Sequence, residues 1–394
     1  MPSFSPFRGI RYNAEGGYVD DVICPPYDVI APSDRETLVG RSEHNAVRLE
    51  VPVGDDRSDR YASAAALWHR WQAERVVVAD EEPSFYAYRM GFHDERGRAR
   101  QTTGILGALH LEPPGKGILP HERTTSKDKA DRLDLLRATR ANLSPIWALS
   151  PAEGLSALVE TTSPPDSRAT DYEGVHHRLW RLTAPAVLDA VSAAVASEPV
   201  LIADGHHRYE VGLAYQAEVG GGGGQDRILA LVVELSESEL SVRPIHRLVS
   251  GLPADLDLLA ALEAFFDPTE TNPVDETILE RMVTQGALAL VGEAGTWLLR
   301  PRPETVAAAG HDLDSSRLDV ALAALPPHEL RFQHGWDHAA AAVATGDAQA
   351  AVLLRPATVA QIAAVSRGGE RMPPKTTFFY PKPATGLVFR SLDL

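Results

Sequence analysis

The spacing of hydrophobic residues predicts the first long helix and the strands around it. Apolar residues recur at helical spacing across residues 57–74, which predicts an amphipathic helix. Residues 84–92 and 102–111 are rich in apolar and aromatic positions and predict two strands, joined by the charged, turn-rich residues 93–98. Residues 185–196 predict a further helix, whose first turn holds a proline at little cost because the missing amide would be unpaired there.

The first 50 residues predict a strand, a turn, a helix and a second strand. Residues 7–12 are strand-like, and two consecutive prolines then exclude a helix because they fix φ and lack amide donors. Ser33 is the predicted N-cap of a short helix, with Glu36 completing a capping box. The alternation of apolar and polar residues over 45–51 predicts the second strand.

The middle of the chain predicts alternating helices and strands. Residues 127–139 and 207–219 have helical patterns, and 200–203 is a short, wholly apolar stretch typical of a buried strand. Residues 220–224 are consecutive glycines and predict a flexible loop, after which 227–234 predicts an apolar strand. This order of elements predicts a mixed α/β fold.

The composition changes near residue 251, which predicts a second, smaller α/β lobe. Its predicted elements are helices at 256–266, 274–284, 318–325 and 359–365, a strand pair within 287–299 and a strand at 350–354. We therefore expect domains at 1–250 and 251–365, with residues 366–394 returning to the first lobe. The fold class is α/β or α+β.

Composition narrows the class of protein. The chain has 394 residues, a net charge of −16 and a single cysteine, which excludes a disulfide framework. No basic and apolar leader opens the chain and no apolar run reaches the roughly 18 residues of a membrane span, so a cytoplasmic protein is expected. The acidic balance makes DNA an improbable partner. Its basic residues concentrate at 116–140 and near the C-terminus, which favours capture of a small anion.

The strongest local signal is the loop from Ala203 to Arg208. A buried strand ends at Gly205 and a helix begins at once, so amides without intrahelical partners and the positive end of the helix dipole favour an anion there. Arg208 is suited to clamp a phosphate, and His206 or His207 to donate a hydrogen bond or relay a proton. The alternative, equally supported by spacing, is an ordinary helix start capped by Asp204 with two surface histidines.

A second constellation lies between residues 120 and 132. His121 and Glu122 supply an acid/base pair, while Lys127 and Arg132 are able to neutralise a bound phosphate. The alternative is a charged helix capped by Ser126 and stabilised by an ion pair between residues 127 and 131. That alternative explains part of the run but leaves the histidine–glutamate pair unexplained.

Two further segments carry candidate site residues. Lys375 and Thr376 lie in a proline-bounded, aromatic segment, and Lys375 is the expected phosphate contact because its charge is compact. Core packing is the favoured role of the neighbouring aromatics. Asp28 follows the two prolines on a rigid turn and is a candidate general base or Mg²⁺ ligand, with capping of the next helix as the alternative. The pairs His176/His177 and His334/His338 are interpreted as surface histidines, and no metal site is predicted.

These segments also carry a resemblance to known families. The strand–Gly–x–x–Arg–helix element is similar to the signature of the ParB/sulfiredoxin superfamily, in which the loop binds nucleotide phosphates. Over nearly its whole length the chain more closely resembles the family of unknown function DUF1015, sometimes labelled ParB-like. The matching segments are 25–30, 120–124, 127–142, 144–146, 203–210 and 372–382.

The resemblance implies a ParB/sulfiredoxin-like core and a phosphate or nucleotide ligand, with Mg²⁺ and a nucleotide as candidate cofactors. Sulfiredoxins have a cysteine where this chain has His206, so peroxiredoxin repair is not expected. Family members often accompany serine-biosynthesis genes, which makes phosphoserine the leading substrate. We expect a phosphatase or phosphotransferase that acts on a small phosphorylated metabolite. The alternatives are a nucleotide-binding switch without turnover, like the ParB clamp, and a DNA-associated factor.

Overall fold

The chain forms two compact units in a computed structural model that describes residues 1–94, 97–120, 129–368 and 372–394. Of the described residues, the first unit contains those up to 120, residues 129–241 and the C-terminal residues 381–394, and the second contains residues 242–380. Both units combine helices with a β-sheet, which confirms the mixed α/β class. Among the described residues, no helix is long and apolar enough to span a membrane.

The first unit is built on a nine-stranded mixed sheet. Its strand order is β6–β11–β8–β12–β5–β4–β10–β9, with β1 on β5, and two small sheets pair β2 with β3 and β7 with β21. The strands of this unit are β1 (Phe4–Ser5), β2 (Ile10–Tyr12), β3 (Val77–Ala79), β4 (Phe85–His93), β5 (Ala99–His110), β6 (Ile118–Pro120), β7 (Ala141–Asn142), β8 (Ile146–Ser150), β9 (Ser167–Thr170), β10 (His176–Leu182), β11 (Val200–Asp204), β12 (Arg227–Glu234) and β21 (Arg390–Ser391).

Six helices accompany this sheet. They are α1 (Pro32–Arg41), α2 (Val47–Glu50), α3 (Arg57–Ala73), α4 (Lys129–Thr139), α5 (Pro185–Ala196) and α6 (His206–Val219). Val191 and Val195 of α5 and Tyr209 of α6 pack into the same apolar core as the sheet residues Ile105 and Val232. Burial of these side chains is the main favourable free energy that holds the helices on the sheet.

Strand β11 leads directly into the predicted loop at residues 203–208, so the pairing of β11 positions that loop. It pairs with β6 in parallel and with β8 antiparallel, and the β8 pairing is irregular between Ile202 and Asp204. Strand β8 in turn runs parallel to β12. The C-terminal end of β11 therefore lies beside the N-terminal end of β8, where Ile146 begins the strand.

The predicted strand at 45–51 is wrong, because this stretch contains the short helix α2. The side chain of Asn45 accepts a hydrogen bond from the amide of Val47 and donates two to the carbonyls of Asp21 and Ile23. A helix of four residues is too short to show a helical period, so its alternation resembled a strand. Its last residue, Glu50, is buried.

The predicted cap of α1 is also wrong, although the helix itself is confirmed. The helix starts at Pro32, and Asp34 accepts a hydrogen bond from the amide of Ala31, so Ser33 and Glu36 do not cap it. Elsewhere in this unit, helix α5 and strand β12 have the predicted bounds, and the strands β4, β5 and β11 and the helices α3 and α6 differ from prediction by at most three residues at an end.

The second unit is built on a six-stranded antiparallel sheet with the order β15–β17–β16–β19–β14–β18. Its strands are β14 (His246–Ser250), β15 (Phe266–Thr271), β16 (Leu288–Gly292), β17 (Gly295–Pro301), β18 (Glu329–Gln333) and β19 (Ala350–Leu353). Two further strands are β13 (Ser241–Arg243) and β20 (Phe378–Tyr380). The helices are α7 (Leu258–Leu262), α8 (Ile278–Gln285), α9 (Pro303–Ala308), α10 (Asp314–Leu322), α11 (Trp336–Ala344) and α12 (Val359–Arg367).

Both faces of this second sheet are covered. Leu290 and Val352 contribute to an apolar cluster with Leu318 of α10. The residues next to them along the same strands belong to a second apolar cluster, which includes Met282 of α8 and Ala339 of α11. Alternate residues of a strand point to opposite faces, so the wholly apolar strands in this unit reflect burial on both sides.

Several predicted boundaries in the second unit are wrong. The helix expected at 256–266 is limited to α7, since Phe266 begins strand β15. The helix expected from 274 begins only at Ile278, and the one expected from 318 begins at Asp314. Strand β18 had no prediction because its residues are mostly exposed and lack an apolar period.

Candidate functional site

The site is built on the turn between β11 and α6. Gly205 has φ of 84° and ψ of 27°, a left-handed conformation that favours glycine, and α6 begins at the next residue. A Cβ atom at this position would lie 3.0 Å from Ile146 and 3.1 Å from Nε of Arg208. Glycine is therefore required here both by backbone conformation and by the close approach of a buried guanidinium group.

Asp204 joins two cationic side chains at this turn. Its Oδ2 accepts a hydrogen bond from Nη2 of Arg208 at 2.9 Å, and its Oδ1 accepts one from Nζ of Lys382 at 2.5 Å. Nη1 of Arg208 donates to the carbonyl of Pro145 at 2.5 Å. Asp204 therefore does not act as a side-chain cap of α6, and this turn is more than an ordinary capped helix start.

The two cations determine the charge state of Asp204. Burial disfavours the charged carboxylate, but Lys382 and then Arg208 outweigh it, and together they lower the pKa of Asp204 to about 2. Asp204 is consequently a carboxylate at every physiological pH. The three side chains carry one net positive charge next to the N-terminus of α6.

Tyr27 connects a second arginine to this turn. The Cζ atom of Arg132 lies 4.2 Å from the centre of the Tyr27 ring, and that of Arg208 lies 6.0 Å from it. Arg132 is oriented by Asp131, which accepts from its Nε and Nη2, and by the carbonyl of Glu50, which accepts from Nη1 at 2.8 Å. Burial raises the pKa of Tyr27 to about 12, so the ring stays neutral and is able to support both guanidinium groups.

A small pocket lies between these two arginines. Its volume is about 60 Å³, and its polar lining includes Glu50, Arg132, Ser144 and Arg208. The remaining lining residues are Leu135, Leu136, Ala141, Asn142, Leu143, Val211 and Ile228. Ser144 donates a hydrogen bond from Oγ to Oε1 of Glu50 at 2.8 Å.

The pocket has the size of one small group, and its lining holds two guanidinium groups and the Glu50 carboxylate. At roughly 10–15 Å³ per water on this measure, the pocket holds about four to six water-sized groups, which is the scale of a phosphate. Arg208 is 9% exposed, and its Nε has no hydrogen-bond partner among the described residues.

The structure brings together seven of the predicted site residues. Asp204, Gly205 and Arg208 lie on the turn, Arg132 lies on α4 at the pocket, and the exposed Asp28 follows Tyr27 in a short 3₁₀ helix. His206 and His207 are the first two residues of α6 and are half-buried. The proximity of His206 is one of the influences that lower the pKa of Asp204.

Other predicted residues belong to the second unit or lie outside the described part of the chain. Lys375 and Thr376 belong to the second unit, where Thr376 hydrogen bonds with Ser315 and donates to the carbonyl of Pro373. His121, Glu122 and Lys127 lie outside the described residues. His177, interpreted from sequence as a surface residue, is in fact buried and hydrogen-bonded to Tyr88 and Asp171.

Three residues of the site escaped prediction from the sequence. Glu50 was assigned to a strand, and Ser144 was noted only as a member of a family-like segment. Lys382 was noted as a basic residue of the C-terminal segment, but Lys375 was preferred as the phosphate contact. Lys382 carried the same signal as Lys375, a lysine in a proline-bounded segment, and sequence offered no means to choose between them. Among the described residues, no three His, Cys, Asp or Glu side chains converge as a metal site.

The molecule is thus a mixed α/β protein with a small pocket that Arg132 and Arg208 line beside the start of α6. A family model described as a protein of unknown function, DUF1015, matches residues 4–321. The chain belongs to the DUF1015 family. A search of curated proteins gives no match.

Solved structures show only distant likenesses. A conserved hypothetical protein from Pyrococcus furiosus aligns at 16% identity over 69% of this chain and 94% of its own, with a TM-score of 0.36. A free serine kinase in complex with AMP aligns at 15% identity over 68% of this chain and 89% of its own, with a TM-score of 0.36. SbnI with a C-terminal truncation, from Staphylococcus aureus, aligns at 12% identity over 71% and 85%, with a TM-score of 0.39.

Proposed function

We propose that the first unit binds the phosphate group of a small phosphorylated metabolite in the pocket at the start of α6. The observation that carries this proposal is Arg208, a buried guanidinium that lines the pocket and whose Nε has no hydrogen-bond partner among the described residues. A second guanidinium, from Arg132, lies across the same pocket. Two arginines at a helix N-terminus are a strong arrangement for a dianionic phosphate.

The proposed reaction is phosphoryl transfer or phosphomonoester hydrolysis, within a ParB/sulfiredoxin-like core. Such reactions need little more than positioning and charge stabilisation, which Arg132 and Arg208 supply. Gly205 allows close approach of the backbone, and His206 is the proposed proton donor or acceptor. His207 and Asp28 are further candidates to contact the ligand. His121, Glu122 and Lys127 stay candidates on the sequence alone.

The pocket limits the substrate to one whose phosphate is able to enter alone. Phosphoserine is the leading candidate, because its phosphate is attached to a short chain that leaves the charged amino and carboxyl groups outside. Mg²⁺ and an adenine nucleotide are the candidate cofactors, since transfer to ADP or AMP would need both. Hydrolysis would need neither nucleotide.

Binding is tested first, with inorganic phosphate as the probe in isothermal titration calorimetry. Arg208→Lys should weaken phosphate binding about tenfold or more, because a lysine cannot reproduce the rigid, planar donor set of arginine. Arg137→Lys is the matched control on α4, where Arg137 is exposed and paired with Glu218. Phosphate affinity that is equal in wild type and Arg208→Lys would refute the assignment of the pocket.

Turnover is tested separately. The protein is incubated with phosphoserine, with and without Mg²⁺ and with ADP, AMP or neither, and released serine and phosphate are measured. Serine release that requires Arg208 supports the proposed reaction. If a nucleotide instead raises the melting temperature and changes the oligomeric state while phosphoserine has no effect, the protein is a nucleotide-binding switch and the proposed enzyme activity is wrong.

A further inference from the structure

We infer that Ser144 is a nucleophile that accepts the phosphoryl group covalently, with Glu50 as its base. This inference rests on the proposed phosphate site and adds a phosphoserine intermediate to it. The observation behind it is a hydrogen-bonded pair in the wall of the pocket that Arg132 and Arg208 line. Oγ of Ser144 donates to Oε1 of Glu50 at 2.8 Å. Ser144 is 6% exposed and Glu50 is 2% exposed.

A serine hydroxyl becomes a nucleophile when a base accepts its proton and the group that it attacks is held nearby. Glu50 fulfils the first condition, and its carboxylate is far from bulk water because the residue ends the buried helix α2. Arg132 and Arg208 line the same pocket and are placed to hold the phosphoryl oxygens. The nucleophile, the base and two cations therefore surround one cavity the size of a phosphate.

The backbone fixes these groups relative to one another. Arg208 donates to the carbonyl of Pro145, the residue that follows Ser144, so its guanidinium is bound to the backbone next to Ser144. Arg132 donates to the carbonyl of Glu50, so the second guanidinium is joined directly to the residue of the base. Such hydrogen bonds reduce the reorganisation that the reaction requires.

The proposed cycle has two steps. In the first, Oγ of Ser144 forms a bond to phosphorus, the bond from phosphorus to the ester oxygen breaks, and the Ser144 proton passes through Glu50 to the leaving alcohol. In the second, Glu50 takes a proton from water, the water oxygen bonds to phosphorus, and the bond to Ser144 breaks. Glu50 then returns the proton to Ser144, so inorganic phosphate and the alcohol are the only products.

The intermediate is detectable directly in the wild-type protein. Acetyl phosphate, a small donor that needs no proton for its leaving group, is mixed with the protein and the reaction is quenched in acid. Fragmentation mass spectrometry of the tryptic peptide 141–168 should place a phosphate on Ser144. The label should disappear when the reaction is left to run after the donor is exhausted.

Variants separate the nucleophile from the base. Ser144→Ala should abolish labelling, and Glu50→Gln should slow it by about 100-fold or more, the usual contribution of a general base. Ser150→Ala is the matched control, because Ser150 is buried on the neighbouring strand β8 and its Oγ accepts from the amide of Ala152. That control should label at the wild-type rate.

The outcomes distinguish this inference from the site on which it rests. Inorganic phosphate binding with no label on Ser144, or turnover that survives in Ser144→Ala, overturns the covalent mechanism and leaves the phosphate site standing. Absence of phosphate binding in the wild type overturns both. Phosphate affinity is measured for Ser144→Ala as well, and a change of less than about threefold shows that its loss of labelling is not a loss of the pocket.

Discussion

Nζ of Lys382 lies 2.5 Å from Oδ1 of Asp204. The two residues are 178 positions apart in the sequence, yet both belong to the first unit. The C-terminal residues thus supply a cation to the loop that precedes α6. This ion pair is shared, because the other oxygen of Asp204 binds Arg208.

Lys382→Met should destabilise the first unit in a pH-dependent way. The pKa of Asp204 is about 2 in the fold, below its ordinary value of 3.8, so its pairing stabilises the fold fully above about pH 4. That contribution is lost as the pH falls through about 2. We expect the variant to lose about 1–2 kcal/mol at pH 7, with a difference from wild type that shrinks below pH 4.

The measurement is urea unfolding of both proteins between pH 7 and pH 2.5. Lys116→Met is the control, because Lys116 is exposed and distant in sequence from the site. A Lys382→Met difference that stays constant over this pH range would contradict the ion-pair explanation.

Gly205→Ala should lower the stability of the fold more than Gly154→Ala, although both glycines have a left-handed backbone conformation. Gly154 has φ of 79° and would have no atom within 4 Å of an added Cβ, whereas Gly205 would meet Ile146 and Arg208. Gly154→Ala should cost about 1–2 kcal/mol from the left-handed conformation alone. Gly205→Ala should cost at least about 1 kcal/mol more by chemical denaturation and should weaken phosphate binding, since the Arg208 side chain must move. An equal loss of unfolding free energy in the two variants would show that the Arg208 side chain moves away from the new Cβ at no cost.

A buried hydrogen-bond chain holds the C-terminal residues near Lys382. The amide of Ala384 donates to the Tyr88 hydroxyl at 3.0 Å, and that hydroxyl lies 2.8 Å from Nδ1 of His177. Nε2 of His177 lies 3.1 Å from Asp171. Since a carboxylate only accepts, His177 donates from Nε2, and in the neutral form of the ring Nδ1 then accepts from the Tyr88 hydroxyl.

Tyr88→Phe should loosen residues 381–386 without disrupting the sheet. The change leaves the Ala384 amide and the His177 ring unsatisfied, which costs about 1–3 kcal/mol. Tyr86→Phe is the control, because its hydroxyl on the same strand accepts from Gly9 and donates to Asp80. Hydrogen exchange should accelerate at 381–386 in Tyr88→Phe far more than in Tyr86→Phe. Similar exchange in both variants would mean that the chain does not anchor this segment.

His246 should make the second unit sensitive to mild acid. Burial, with smaller effects of His334 and Arg247, lowers the pKa of His246 to about 3, so the ring is neutral in the fold and accepts from the amide of Leu354. The unfolded chain takes up a proton below about pH 6.5, so stability is full above that value and declines as the pH falls towards 3. At pH 5 the free energy of unfolding of the second unit should be lower than at pH 7 by about 2 kcal/mol.

Hydrogen exchange of peptides from β14 and β19, corrected for the intrinsic pH effect, measures this loss. His246→Asn retains an acceptor for the Leu354 amide but does not titrate in this range. In this variant, the protection of the β14 and β19 amides from exchange should therefore change less between pH 7 and pH 5 than it does in the wild type. An equal change in both proteins would exclude His246 as the sensitive group.

Local sequence was sufficient for the elements that have a strong period or a clear boundary. Helix α5 and strand β12 were predicted to the residue, because a proline start and a long apolar run specify them without tertiary help. The turn at Gly205 was also predictable, since a buried strand followed at once by glycine and a helix has few other solutions. Short elements such as α2 were not, because four residues cannot establish a period.

The members of the pocket were decided by tertiary structure. Arg208 was evident from its place after the glycine, but Glu50 and Ser144 come from distant segments that the sheet and α2 bring to the same cavity. The choice between Lys375 and Lys382 likewise depended on how the C-terminal segment folds, because both lysines have similar neighbours in sequence.

The sequence by itself therefore determined the mixed α/β class, the family and the helix start after Gly205. Which side chains surround that helix start was decided only by the tertiary structure. The physical reason is that hydrophobic periodicity and backbone conformation are local properties, whereas an ion pair such as Lys382–Asp204 forms between residues that only packing brings together.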